Sequence, residues 1–145
     1  MLYNFYQITG AILYPLLVMV SPLLERLLPN WQLSQRFGYY PDIDQSAASN
    51  RPQLIWIHAA SVGEVQAARA LIVVLVDTLP DAEIFLTTIT RQGRAVAQTL
   101  LPSQVRCELA PLDVPQVVDR ALKFLQPDLY ICLETEFWPV MLTAR

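Results

Sequence analysis

From Leu54 onward the chain alternates short apolar runs with longer stretches of helical periodicity. The apolar runs are Leu54–Ala60, Glu83–Thr88, Val105–Ala110 and Leu129–Glu134. Each is bounded by turn residues, so each predicts a strand. Helical patterns fill Glu64–Leu79, Thr90–Leu101 and Val114–Leu125, and a fourth helix opens near Phe137. Alternation at this spacing predicts parallel βαβ units with right-handed crossovers. The expected fold class is α/β, a Rossmann-like parallel sheet of order 3-2-1-4. In that order the chain reverses direction between the first and fourth strands. The reversal opens a crevice at the strands' carboxyl ends, where open α/β sheets bind their ligands.

Ahead of the sheet the pattern changes. Residues 1–24 carry no charged side chain, and Ile8–Leu24 is nearly all apolar. A bilayer span takes roughly 17–25 residues, so this run sits at the lower edge. Pro15 and Pro22 each remove a backbone hydrogen bond, which makes a kinked helix lying in one leaflet an alternative to a span. A buried helix of a soluble domain is the third reading. Arg26 and Arg36 follow the run and no Lys or Arg precedes it. By the positive-inside rule the rest of the chain is then in the cytoplasm. Residues 29–53 read as a connector, with turn chemistry at Pro29, Gly38, Pro41, Asp42–Asn50 and Pro52. Its aromatics, Trp31, Phe37, Tyr39 and Tyr40, are expected at the headgroup level. The expected division is a membrane anchor helix at 1–28, a connector at 29–53 and a Rossmann-like domain at 54–145.

Composition narrows the function classes. The 145 residues are 54% hydrophobic and 16% charged, apolar for a soluble domain. A net charge of −3 gives no basic field, which argues against a nucleic-acid partner. The single histidine and two separated cysteines argue against a zinc site. Four widely spaced glycines exclude a G-x-G-x-x-G fingerprint, and with it the simplest nucleotide-binding reading.

The loops after the strands hold the candidate chemistry. Ser61-Val62-Gly63-Glu64 is a capping box, with Ser61 as N-cap and Glu64 closing back on its backbone N–H. The same turn brings a carboxylate to the end of the first strand, where it can remove a proton from an acceptor hydroxyl. His58 lies on that strand. In the second loop Thr90 is an N-cap, while Arg91 offers a planar fork to phosphate. Asp113 reads as the cap of the third helix, with Pro115 in its first turn. The fourth loop carries Glu134, Glu136 and Trp138, two carboxylates for sugar hydroxyls and a flat apolar face for a sugar ring or acyl chain. Each of these has a plain structural reading beside it: capping for Ser61, Glu64 and Thr90, core packing for His58 and Trp138.

Four motifs together carry a resemblance: HAASVGE at His58–Glu64, TTITRQG at Thr87–Gly93, PLDVP at Pro111–Pro115 and ETEFWP at Glu134–Pro139. The chain resembles the N-terminal, acceptor-binding half of the Kdo (3-deoxy-D-manno-octulosonic acid) transferases, membrane-bound enzymes that add Kdo to the lipid A precursor. The resemblance implies a GT-B-type inverting glycosyltransferase that needs neither metal nor cofactor. Its N-terminal domain would bind the lipid A precursor (lipid IVA). The donor, CMP-Kdo, would bind a second domain that lies beyond Arg145 or in a separate donor-binding half. The glutamate of S-x-G-E is the family's candidate base, which falls on Glu64. Ser61, Gly63, His58, Thr88, Thr90, Arg91, Gly93, Glu134, Glu136 and Trp138 would contact substrate. Arg91 and Gln92 depart from the Thr-Pro-Thr-Gly usual in the second loop, and Gln35 replaces a glutamate in the connector. The rival reading is a non-catalytic, membrane-tethered module that binds lipid or docks a partner, for instance through the apolar helix Val65–Leu79.

Overall fold

A computed structural model describes residues 2–27, 31–40, 51–133 and 138–143. Its elements are α1 (Leu2–Leu27), α2 (Leu33–Arg36), β1 (Leu54–Ala59), α3 (Val62–Thr78), β2 (Glu83–Thr88), α4 (Arg91–Leu100), β3 (Arg106–Leu109), α5 (Pro115–Leu125), β4 (Leu129–Leu133) and α6 (Pro139–Thr143). They fall into two units. One comprises Met1–Pro41, Pro111–Phe124 and Glu136–Arg145; the other comprises Asp42–Ala110 and Leu125–Thr135.

The second unit is the sheet with α3 and α4. The strand order is β3-β2-β1-β4, all parallel, as the alternation predicts. Every β1 residue is buried, the signature of a central strand in a parallel sheet. Because side chains alternate faces, Ile55, Ile57 and Ala59 share one side. There they join Val65, Ala68 and Ile72 of α3 and Ala97 of α4 in one apolar cluster. The helix positions recur at three- and four-residue steps, which is why α3 can lay one stripe on the sheet. Trp56 and His58 have the other parity. The Trp56 ring meets Phe85 and Tyr130 edge-on, at centroid distances of 6.1 and 5.2 Å. Cys107 and Cys132 lie on β3 and β4, at opposite edges of the sheet, and neither is in a disulfide. Burial pushes the Cys107 thiol up to about 11, so it stays protonated and unreactive.

The other unit is built around α1. The helix runs unbroken through Pro15 and Pro22. Its residues Ile8–Leu27 are long and apolar enough to cross a membrane, with a mean hydropathy of 1.7. Tyr14, Leu17 and Leu24 pack with Leu33 and Phe37 from the α2 region and with Leu112, Val114 and Val117 around the start of α5. Gly10 extends this inner stripe: a Cβ there would stand 3.0 Å from Val114 Cγ1. On the outer side Ile8, Ile12, Leu16, Met19, Leu23 and Leu27 are all exposed. The helix is therefore neither a buried core helix nor free of its unit. Arg120 of α5 ties it in place. Its guanidinium donates to the Phe37 carbonyl and the Tyr14 hydroxyl and stacks over the Tyr39 ring at 4.5 Å.

The connector departs from expectation. Phe37 and Tyr40 are buried, not placed at a headgroup level, whereas Trp31 and Tyr39 are exposed. The cause is a tight helix end. Gly38 has φ 80°, Gly38 N–H donates to Gln35 O, and Tyr39 N–H donates to Ser34 O. This pair of bonds is a Schellman motif, and it turns Phe37 inward. The Pro41–Asn50 stretch lies outside the described residues.

Candidate functional site

The turn after β1 decides where Glu64 goes. Ser61 takes an extended conformation and its side chain accepts from Glu64 N, so α3 begins at Val62, two residues earlier than the pattern suggests. Glu64, in the first turn, is buried. Its Oε2 accepts the Ala60 N–H at 2.6 Å and its Oε1 accepts the Ser61 hydroxyl at 2.7 Å. The capping box is thus present in altered form. The carboxylate reaches past the Ser61 amide to the Ala60 amide, which lies just beyond the last β1 residue. Both oxygens are fixed, each by one of these bonds, and a carboxylate has about four acceptor positions in all. Gly63 sits beside it, exposed. A Cβ there would find only Ser61 Oγ within reach, at 3.9 Å. Packing does not require that glycine; it leaves the first turn open to close approach.

Beneath this turn lies a polar layer. His58 pairs with Thr87 across β1 and β2 and with Cys132 across β1 and β4. Its Nδ1 is 3.0 Å from Thr87 Oγ1, which also accepts the Trp56 indole N–H at 2.9 Å. All three residues are buried. Two opposing effects act on the imidazole. Burial disfavours its cation, while the Glu64 charge and the Thr87 backbone favour it, and burial wins, lowering its pKa to about 4. His58 is a neutral ring at pH 7. The unfolded chain binds this proton from about pH 6.5 downward and the folded one only near pH 4. Acid therefore removes about 3 kcal/mol of stability across that window. With one histidine in the chain, proton NMR reads it directly: the ring resonances should stay fixed from pH 8 to 5. A midpoint near 6.5 would mean a solvated ring and no such penalty. Sequence reading missed Trp56 and Thr87 as members of this layer. The signal was their shared parity with His58 in a strand pair that must satisfy every buried polar group.

The second loop adjoins the first. Ile89 N–H donates to Ala60 O at 3.2 Å, and Ala110 N–H donates to Thr88 O at 2.8 Å, so the ends of β1, β2 and β3 form one edge. Thr90 caps α4 as predicted, accepting Gly93 N–H at 3.0 Å. Thr88 is fully buried and its hydroxyl donates to the Thr90 carbonyl. Gly93 fits tightly: a Cβ would meet Thr90 Oγ1 at 3.0 Å and Thr88 Cβ at 3.3 Å. Thr88 and Gly93 thus shape the loop, while Thr90 and Arg91 are exposed at its lip. On the β4 side Leu133 pairs with Ala59; Glu134 and Glu136, which follow it, lie outside the described residues. Trp138 belongs to the other unit, half-buried, at the start of α6. Among the described residues no group of three His, Cys, Asp or Glu could hold a metal ion.

Comparison with known proteins bears on this edge. A family model described as 3-Deoxy-D-manno-octulosonic-acid transferase (kdotransferase) matches residues 31–145. The chain belongs to the Kdo transferase family. Similar relatives include the 3-deoxy-D-manno-octulosonic acid transferase of Haemophilus influenzae, 37% identical over 137 residues, covering 93% of this chain and 31% of that protein. A probable mitochondrial 3-deoxy-D-manno-octulosonic acid transferase of Arabidopsis thaliana is 35% identical over 130 residues, 86% of this chain and 29% of that protein. The Rickettsia prowazekii transferase is 37% identical over 86 residues, 59% of this chain and 19% of that protein. The chain spans less than a third of the length of these Kdo transferases. No solved structure matches. All four motifs lie inside the family match, whereas α1 precedes it.

Proposed function

We propose that this chain is the acceptor-binding part of an enzyme that transfers Kdo from CMP-Kdo to the lipid A precursor, with Glu64 as general base. A buried carboxylate fixed at both oxygens, at the carboxyl end of the central strand, carries the reading. In the reaction a Glu64 oxygen takes the proton of the acceptor hydroxyl as that oxygen bonds to the anomeric carbon of Kdo. The bond from that carbon to the CMP phosphate oxygen breaks, and CMP leaves on the opposite face. The anomeric centre inverts and no sugar–enzyme bond forms. Ser61 orients the base. Thr90, Arg91 and the open first turn at Gly63 supply the polar lip of this unit. In the other unit, Trp138 is the proposed apolar contact for the acceptor. The donor site belongs to a further domain or a separate donor-binding half.

Membrane attachment belongs to the same reading. The inner stripe of α1 is occupied by its own unit from Gly10 to Leu24, about 21 Å of helix at 1.5 Å per residue. Its outer stripe is apolar and exposed. A helix docked along that much of its length suits an in-plane position at the cytoplasmic face of the inner membrane better than a span.

The test is transfer from CMP-Kdo to the lipid A precursor by the chain in detergent, alone and mixed with a donor-binding half as a separate polypeptide. Transfer with the added half is the expected result. Acceptor binding without transfer in either case selects the non-catalytic lipid-binding module instead. Neither binding nor transfer overturns both.

A further inference from the structure

α5 begins at Pro115, and the Val114 carbonyl accepts the Val117 and Val118 N–H groups, so Asp113 lies one residue outside the cap position. Its carboxylate reaches α6, where Oδ1 accepts Met141 N–H at 3.0 Å and Oδ2 accepts Val140 N–H at 3.2 Å. These contacts join residues 27 and 28 positions apart within one unit. They satisfy amides that a short helix cannot satisfy itself. Trp138 is one peptide bond from Pro139, the first α6 residue, and its carbonyl accepts Leu142 N–H at 3.0 Å. The main chain of Trp138 is therefore held to α6, and α6 is held by Asp113. Val140 and Met141 are both buried, so α6 is seated by its side chains as well as by its amides.

We infer that Asp113 is a positioning residue for the acceptor: by capping α6 from the third loop, it fixes Trp138 in the orientation that packs against the acceptor. The inference rests on the proposed acceptor role of Trp138 and adds the element that controls it. Charge matters here. A carboxylate accepts at both oxygens, so it can hold two adjacent amides at once. An amide side chain of the same length presents one acceptor and one donor, and the donor faces an N–H.

Equilibrium binding of the lipid A precursor in detergent micelles, measured on the chain itself, tests this. Asp113→Ala should weaken binding by about tenfold, the scale of one lost cap, and Asp113→Asn should fall between Ala and wild type. Trp138→Ala should weaken binding similarly. In the Trp138→Ala background the Asp113→Ala change should have little further effect, because the two act through one contact. Circular dichroism of each variant establishes that the sheet is intact. Unchanged affinity in Asp113→Ala, or effects that multiply in the double variant, would reduce Asp113 to a purely structural cap. Failure of the wild-type chain to bind acceptor overturns the acceptor reading itself, and this inference with it. The wild-type titration thus separates the two failures.

Discussion

Glu64→Gln is expected to lower Kdo transfer by about 10²–10⁴-fold in the assembled enzyme, the range spanned by positioned general bases. Acceptor affinity should change little. The substitution is nearly isosteric, and the amide oxygen can keep one of the two bonds, to the Ala60 N–H or the Ser61 hydroxyl. The carboxamide nitrogen has no lone pair to receive a proton, so the loss should appear in kcat and not in KM. The alternative role of Glu64 gives a different pattern. If the carboxylate only caps α3, Gln still serves as a capping-box residue, stability falls by under about 1 kcal/mol, and turnover stays near wild type. Measuring thermal midpoint and kcat together on one preparation separates the two. A variant that turns over normally would return Glu64 to its capping role.

Gly38→Ala should cost about 3 kcal/mol or more of stability and loosen α1. The residue sits at φ 80°, where an L side chain costs about 1–2 kcal/mol by itself. A Cβ would also stand 2.8 Å from the Val117 carbonyl oxygen and 3.2 Å from the Ala121 amide nitrogen. Those are backbone atoms of α5 and cannot rotate away, so the helices must separate. Separation would pull Phe37 out of its cluster and break the Arg120 bond to its carbonyl. Urea denaturation gives the magnitude, and protease cleavage within residues 2–27 gives the loosening. A loss under about 1 kcal/mol would show that the turn tolerates a side chain and that α1 is held by other contacts.

The sheet was legible because its information is local. Four apolar runs with turn residues between them set four parallel strands, and their order is the one expected of a Rossmann-like sheet. The caps at Ser61 and Thr90 were legible for the same reason, since each acts within three residues. Partners far apart in the chain were not. Asp113 carries the sequence signature of a cap for α5, and nothing local says that its carboxylate turns to α6. Phe37 and Tyr40 look like interfacial aromatics until Gly38 turns them inward. The His58–Thr87–Trp56 layer required strand register, which fixes which side chains of β1 and β2 face one another. At the site itself the motif placed Glu64 at the strand end. Its second anchor, a main-chain amide, has no side-chain identity to read.

The docking of α1 sets an order of events during synthesis. Leu17 leaves the ribosome about 100 residues before Val117, one of the side chains it packs against. At roughly 5–20 residues per second, the helix spends about 5–20 s outside without the part of its cover that α5 supplies. Both its stripes are apolar throughout that interval. Whatever binds nascent apolar helices, chaperone or bilayer, meets α1 before α5 exists to compete for its inner face.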